Sequence, residues 1–304
     1  MLTYTAIAKN RRESWILIFS YLIIIALLGY VFSVVYNNVS ILYLAVGFSL
    51  ISAWISYYFS DSITLAISRA QEVDRNSAPE FYRIVENLAI TAGLPMPKIY
   101  IINDPAPNAF ATGRDPQHAV VCATTGILQK LDKTELEGVI AHELSHIGNY
   151  DIRLMTLVVV LVGAITLLAD FFLRFSFFGG RRRGNNNDGG QITAIFAIVG
   201  LVLAILSPLI ATLIKLAVSR QREYLADASG VMLTRYPEGL ARALEKIADD
   251  GEPLQHANNA TAHLYIANPF KADTGKAKGH WFAHLFDTHP PIEDRIKRLR
   301  EMNL

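Results

Sequence analysis

One cysteine, Cys122, is all the thiol chemistry that 304 residues contain, so an intrachain disulfide framework and a thiolate-rich metal site are both excluded. Cys122 is expected as a small buried hydrophobe. Charge is scarce as well: Asp, Glu, Lys and Arg make up 18% of the chain, and 28 basic against 27 acidic residues leave a formal net charge of +1. Such a balance offers no electrostatic footprint for nucleic acid, and that class of partner is set aside. Internal repeats and an extended low-complexity tail are also missing.

Apolar residues are what the chain has in excess, at 52%, too many for an ordinary soluble protein. They gather in four runs, Trp15 to Tyr36, Ile41 to Phe59, Leu154 to Phe178 and Ile192 to Ile214. Each is long enough to cross a bilayer core of roughly 30 Å as a helix. Lys9, Arg11 and Arg12 precede the first run, which is longer than the apolar part of a secretory signal and is followed by no A-x-A cleavage site; it reads as a retained anchor. Those basic residues, and a connection of only Asn37, Asn38 and Val39 to the second run, place the N-terminus and the segment after Phe59 in the cytoplasm. Asn38-Val39-Ser40 matches a glycosylation sequon but sits too tightly against the membrane to be used.

The second pair of runs is less regular. Asp170 interrupts the third, Arg174 lies four residues on, and Arg181-Arg182-Arg183 occupies the loop that a full crossing would expose outside, against the positive-inside tendency. Asp170 and Arg174 can pair on one helix face, which lowers their cost in lipid. Two readings stand: the third helix spans and ends near Asp170, or the pair forms a hairpin that enters the membrane only partly. Arg183 to Gly190 is a turn in both. The organisation expected is mainly α with a small β-sheet (α+β), as an anchor pair in 1–60, a catalytic part with the sheet in 61–153, a second hydrophobic hairpin in 154–218 and a helical catalytic part in 219–304.

Within the polar parts the pattern predicts a helix from Ala78 to Ala92, closed by Gly93 and Pro95, strands at Lys98–Ile102 and His118–Ala123, turn formers around Asn108-Ala109-Phe110, and a short helix at Thr125–Leu131. Thr134-Glu135-Leu136-Glu137 reads as a capping box opening the next helix. Further helices are expected at Ser219–Leu233, Pro237–Ala248 and Ile292–Met302.

The helix opened by that box carries His142-Glu143-Leu144-Ser145-His146. Histidines at i and i+4 project from one helix face and can hold one metal ion, and Glu143 beside them is placed to take a proton from water at the metal. The bland alternative, two surface histidines, is disfavoured by the apolar turn Val139-Ile140-Ala141. A catalytic zinc needs a third protein ligand. The metzincin pattern is excluded, because its Gly and third His positions hold Asn149 and Ile152. A carboxylate from another helix is the other route: Glu223-Tyr224-Leu225-Ala226-Asp227 sets Glu223 and Asp227 on one face, Glu223 to ligate and Asp227 to accept from a ligating imidazole. His118, His256, His263, His280 and His284 read as surface or structural groups, and one of them in place of Glu223 stays open. The motif runs into the third hydrophobic run and Glu223 follows the fourth, so an antiparallel hairpin would bring both ligand sets to one membrane face.

Four ordered blocks extend this pattern: Pro107-Asn108-Ala109-Phe110-Ala111-Thr112-Gly113, Ala141 to His146, Ser219 to Asp227, and Thr288-His289-Pro290-Pro291 with Arg295. In these and the paired N-terminal anchors the chain resembles the HtpX family of membrane zinc metalloproteases, related to the CAAX prenyl endopeptidases and the mitochondrial Oma-type proteases. The resemblance covers nearly the whole chain. It implies one Zn2+ held by His142, His146 and Glu223, Glu143 as base, and cleavage of misfolded or damaged membrane proteins at the cytosolic face of a prokaryotic membrane, in stress response and quality control. His289 has two readings, oxyanion donor with Arg295 behind it as orienter, or cap of the last helix; the resemblance favours the donor. Asn108, Ala109 and Phe110 are expected to border an edge strand for extended substrate, with the Asn108 side chain on its backbone. Rival classes are a membrane scaffold or chaperone with a structural metal, an intramembrane protease, whose motif would lack flanking Glu135, Glu137 and Asp151, and a prenyl-substrate protease, which needs more spans.

Overall fold

The computed structural model describes residues 3–35, 37–163, 165, 220–255, 261–267 and 290–302. The fourth hydrophobic run, Asp170, Arg174, the arginine loop, His256, His280, His284 and His289 lie outside the described residues.

Helix α1 (Thr3–Val35) and helix α2 (Ser40–Ile67) form the expected pair. Within them Ile7–Val34 and Ser40–Ile67 are each 28 residues of apolar helix, about 42 Å at 1.5 Å per residue, longer than a hydrocarbon core. Both helices overrun the hydrophobic runs at their cytoplasmic-reading ends. α1 is apolar all round: Leu17, Tyr21 and Ile25 are buried, while Ile16, Phe19, Ile23 and Leu27 face outward more than half exposed, the pattern of a helix solvated by lipid. The buried face of α2 is lined by Ser49, Ser56, Ser60 and Thr64. The Ser49, Ser56 and Thr64 hydroxyls are satisfied within the helix, as for Ser56 on the Ser52 carbonyl at 2.7 Å, and small residues there let neighbours approach closely.

Polar structure follows in β1 (Gln71–Glu72), α3 (Pro79–Ala92), β2 (Lys98–Ile102), β3 (Ala109–Gly113) and β4 (Ala119–Thr124). The sheet order is β1-β2-β4-β3, with β2 parallel to β4 and the two outer pairs antiparallel. Gly93, at φ 66°, ends α3 in the left-handed conformation that glycine adopts without strain. β3 is a full strand where turn formers were expected, because Ala109 and Ala111 pack inward on the core beside α3 while Phe110 packs on the opposite face. Cys122 is wholly buried on that second face.

Helix α4 (Thr125–Lys130) leads into α5 (Lys133–Gly148), the motif helix. Its capping box is two residues earlier than the expected Thr134 to Glu137: the Asp132 carboxylate accepts from the Glu135 N–H at 2.9 Å and Glu135 Oε2 accepts from the Asp132 N–H at 2.8 Å. Aspartate caps as well as threonine, and Thr134 instead donates its hydroxyl to Asp132 at 2.7 Å. At Tyr150, with φ 61°, the chain turns and α6 (Asp151–Gly163) leaves at 83° to α5. Leu154, Leu157, Val158 and Leu161 of α6 pack on Leu17, Tyr21 and Ile25 of α1. The third hydrophobic run therefore starts as a helix against the first pair. Among the described residues two helices are long and apolar enough to span, or three if the bent α5–α6 pair counts as one; of the four expected, the fourth and most of the third lie outside the described residues.

Helices α7 (Arg220–Thr234), α8 (Pro237–Asp249) and α9 (Ile292–Arg300) complete the described chain. α5 lies in the middle of this layer, against β3 on one side and α7 and α8 on the other, sharing its core with Leu240, Leu244 and Leu299. Two glycines permit that packing. A Cβ on Gly138 would meet the Leu240 backbone nitrogen at 2.7 Å, and one on Gly230 would meet the His142 backbone nitrogen at 2.9 Å. Gly230→Ala is therefore expected to push α7 off α5 at the motif, costing about 1–3 kcal/mol and weakening metal binding; an unchanged melting temperature together with unchanged metal affinity would show that the contact has slack.

Candidate metal centre

α5 presents the His142 and His146 rings side by side, and α7 brings Glu223 across from them. The two Nε2 atoms are 3.1 Å apart, Glu223 Oε2 is 3.7 Å from His142 Nε2 and Glu223 Oε1 is 3.6 Å from His146 Nε2. A tetrahedral zinc with ligands at 2.0–2.1 Å separates adjacent donors by about 3.3–3.4 Å; each of these pairs lies near that spacing, and one ligand atom from each of the three residues falls within 4.8 Å of the others. The charge around them fits a dication. Glu143, Asp151, Glu223 and Asp227 are four buried carboxylates, faced by two buried guanidiniums, Arg222 and Arg295. With the imidazoles neutral and all four carboxylates ionised, as a bound cation requires, two negative charges are left over, at a depth where uncompensated charge is expensive.

Each imidazole is oriented from behind. His142 Nδ1 lies 2.9 Å from Asp227 Oδ1, leaving Nε2 for the ion. Asp227 accepts two further hydrogen bonds, from Arg295 Nε at 2.9 Å and Nη2 at 2.7 Å. Arg295 is fully buried; its Nη1 donates to the Ile266 carbonyl at 3.1 Å and lies 3.6 Å from Glu223 Oε2. It thus grips the carboxylates of the ligand set. His146 Nδ1 lies 2.9 Å from Asp151 Oδ2. Asp151 went unassigned in the sequence, since a residue at i+5 on a continuous helix does not face His146; the turn at Tyr150 returns it. Glu143 is buried next to the ligands, and the Ala111 amide of β3 donates to its carboxylate.

These contacts set the proton affinities. Burial lowers His142, reinforced by Arg295 and His146 and opposed by Asp227. Burial also pulls His146 down, but Asp151, Glu223 and Glu143 outweigh it and carry the imidazole to about 9. Burial raises Glu143 to about 7, helped by Glu223 and resisted by His146, Arg295 and the Ala111 amide. Asp227 is held at about 2, where Arg295 and His142 overcome burial. A proton on His146 at neutral pH occupies a position the metal needs. Metal affinity of the apoprotein should therefore rise with pH, by about tenfold per unit, and level off above about 9. Competition with a chromophoric chelator across neutral pH measures it, and a flat profile would mean that loading displaces no proton.

Of the other anticipated residues, Asn108 is buried, with its Nδ2 donating to the Ala267 carbonyl at 3.1 Å and its Oδ1 accepting from the Ala109 N–H at 3.1 Å. Its side chain is spent inside the chain, where it was expected to face substrate. Phe110 packs edge-on to Tyr265, at 5.2 Å between ring centroids, and the Ala109 carbonyl accepts from the Ile266 N–H at 3.0 Å. Residues 261–267 thus lie along the β3 edge. His263 is buried, its Nε2 3.0 Å from the Met155 carbonyl, and His118 is on the surface beside Asp115; neither joins the ligand set.

Paired histidines one helical turn apart, a carboxylate from a second helix and a glutamate between the histidines define a gluzincin-type metallopeptidase site, here on an α+β fold carrying apolar anchor helices. Residues 75–303 match the peptidase family M48. The chain belongs to that family, among its HtpX proteases. It is similar to the protease HtpX homolog of Dictyoglomus thermophilum, with 49% identity over 98% of this chain and 94% of that one. The HtpX homolog of Caldanaerobacter subterraneus is 45% identical over 99% of this chain and 98% of its own. Among solved structures, Ste24p of S. mikatae aligns with 97% of this chain and 67% of that chain at 17% identity and a TM-score of 0.49.

Proposed function

We propose that this membrane metallopeptidase is a zinc-dependent endopeptidase that cleaves misfolded or damaged membrane proteins at the cytosolic face, in quality control under stress. The observation that carries the reading is the convergence of one ligand atom each from His142, His146 and Glu223 within 4.8 Å of one another, with Glu143 buried beside them. Zinc, when bound there, supplies Lewis acidity that polarises a peptide carbonyl and acidifies water. Glu143 takes the proton from the attacking water and returns it to the leaving amine. His142 and His146 are held in register by Asp227 and Asp151, and Arg295 keeps Asp227 ionised and holds Glu223 in place. His289 is proposed as the oxyanion donor. The Asn108-Ala109-Phe110 segment is proposed to receive extended substrate through the main chain of β3, which requires Ile266 to release the Ala109 carbonyl.

The cytosolic assignment draws support from the position of α1: Asn10, near the start of its apolar stretch, touches the residues behind His146, and Lys9, Arg11 and Arg12 share that end. Detergent-purified protein incubated with unfolded casein should cleave it, stop on chelation and recover on zinc re-addition. Zinc bound without chelator-sensitive cleavage would point to a scaffold or chaperone with a structural metal. Membrane-protein substrates are tested separately, by comparing a misfolded and a folded form of one reporter co-reconstituted in vesicles; equal cleavage of both would remove the quality-control reading.

A further inference from the structure

We infer that Asn10, on the first membrane helix, is a positioning residue of the metal centre. The inference rests on the reading of His142, His146 and Glu223 as ligands. Asn10 lies within the apolar stretch Ile7–Val34 and is 3% exposed. A buried amide in such a helix is costly unless its hydrogen bonds are made. Its Nδ2 carries two hydrogens, and both are used: one on the Asn149 carbonyl at 2.9 Å, the other on Asp151 Oδ1 at 2.5 Å.

Those two acceptors flank Tyr150, the residue at which the chain turns through 83° between α5 and α6. Asn149 caps the motif helix, and Asp151 opens the next and puts its other oxygen 2.9 Å from His146 Nδ1. Asn10 therefore clamps both sides of the corner that aims a carboxylate at a ligand. From Asn10 the line runs through Asp151 to His146, whose far nitrogen is a ligand atom. The same turn of α1 holds the corner and the other ligand helix at two more points. Arg11 lies over the Tyr150 ring at 4.4 Å. Glu13 pairs with Arg222 at 2.9 Å, next to Glu223 in the chain, and Arg222 Nε stands 3.9 Å from Asp151 Oδ1. The anchor is built into the support of the site, so seating of α1 and metal affinity are coupled.

Full-length protein in detergent tests this with Asn10→Asp, which keeps the shape of the side chain and removes both donors, alongside Asn10→Ala, Asp151→Asn and the double variants. Zinc affinity is read by chelator competition and ligand geometry by the visible absorption of the cobalt-loaded protein. The expected result is a 10–100-fold loss of zinc affinity for Asn10→Asp with a shifted cobalt spectrum. In the Asp151→Asn background the Asn10 substitutions should add less than about twofold, because coupled residues are not additive. Tyr21→Phe, which removes the 2.7 Å contact between Tyr21, higher on α1, and Ser52 of α2, should leave zinc affinity unchanged. Asn10 variants that bind zinc like the parent, or whose losses multiply independently with Asp151→Asn, would reduce Asn10 to a packing residue. If the parent protein itself bound no zinc, the ligand assignment would fall instead.

Discussion

Glu143→Gln should lower casein turnover by about 10²–10⁴-fold, the usual worth of a positioned general base, while zinc content and melting temperature stay at parental values. The amide is isosteric and can still accept from the Ala111 N–H, so the local packing around β3 is kept. It cannot accept a proton from water. Glu143 lies outside the ligand trio, so its loss leaves His142, His146 and Glu223 in place. In the metal-free site burial raises its carboxyl to about 7, and a dication bound beside it would lower that value and favour the carboxylate that accepts the proton. Turnover retained within a factor of a few at full zinc occupancy would remove Glu143 from the reaction.

Arg295→Met should cost about 3–5 kcal/mol of stability, the range for removing one partner of a buried ion pair. The guanidinium bonds Asp227 twice, at 2.7 and 2.9 Å, and stands 3.6 Å from Glu223. Methionine fills much of the volume but strands the Asp227 carboxylate, which now has only the His142 ring, and removes a positive charge from a site rich in buried carboxylates. Metal binding would then be asked to compensate. The expected signature is a large fall in the melting temperature of the apoprotein that added zinc only partly restores. Arg295→Lys should rescue little, because a single ammonium cannot reproduce the paired contacts to Asp227. A methionine variant melting within a few degrees of the parent would show that Asp227 is neutralised by other means.

Much of the fold was legible because its signals are local. The α3 boundaries follow from Pro79 and Gly93, those of α8 from Pro237, and β2 from the apolar run Lys98–Ile102. The cap of α5 was misplaced because Asp132 and Thr134 are both good caps and both are followed three residues later by glutamate. β3 was harder, since Asn108-Ala109-Phe110 has turn chemistry and becomes strand only through pairing with β4 and burial on both faces.

The site divides in the same way. His142, Glu143 and His146 follow from helical spacing, which the sequence specifies through the period of 3.6 residues, and the one-turn offset of Glu223 and Asp227 has the same origin. These, the apolar anchors and the membership in a metallopeptidase family were determined by the sequence alone. The support of the ligands was decided only by the tertiary structure. Asp151 reaches His146 because the chain turns at Tyr150, Arg295 reaches Asp227 across 68 residues, and Asn10 reaches Asp151 across 141. No periodicity encodes such contacts: a buried charge is stable only where distant segments bring its partner, and which segments meet depends on the packing of the whole core.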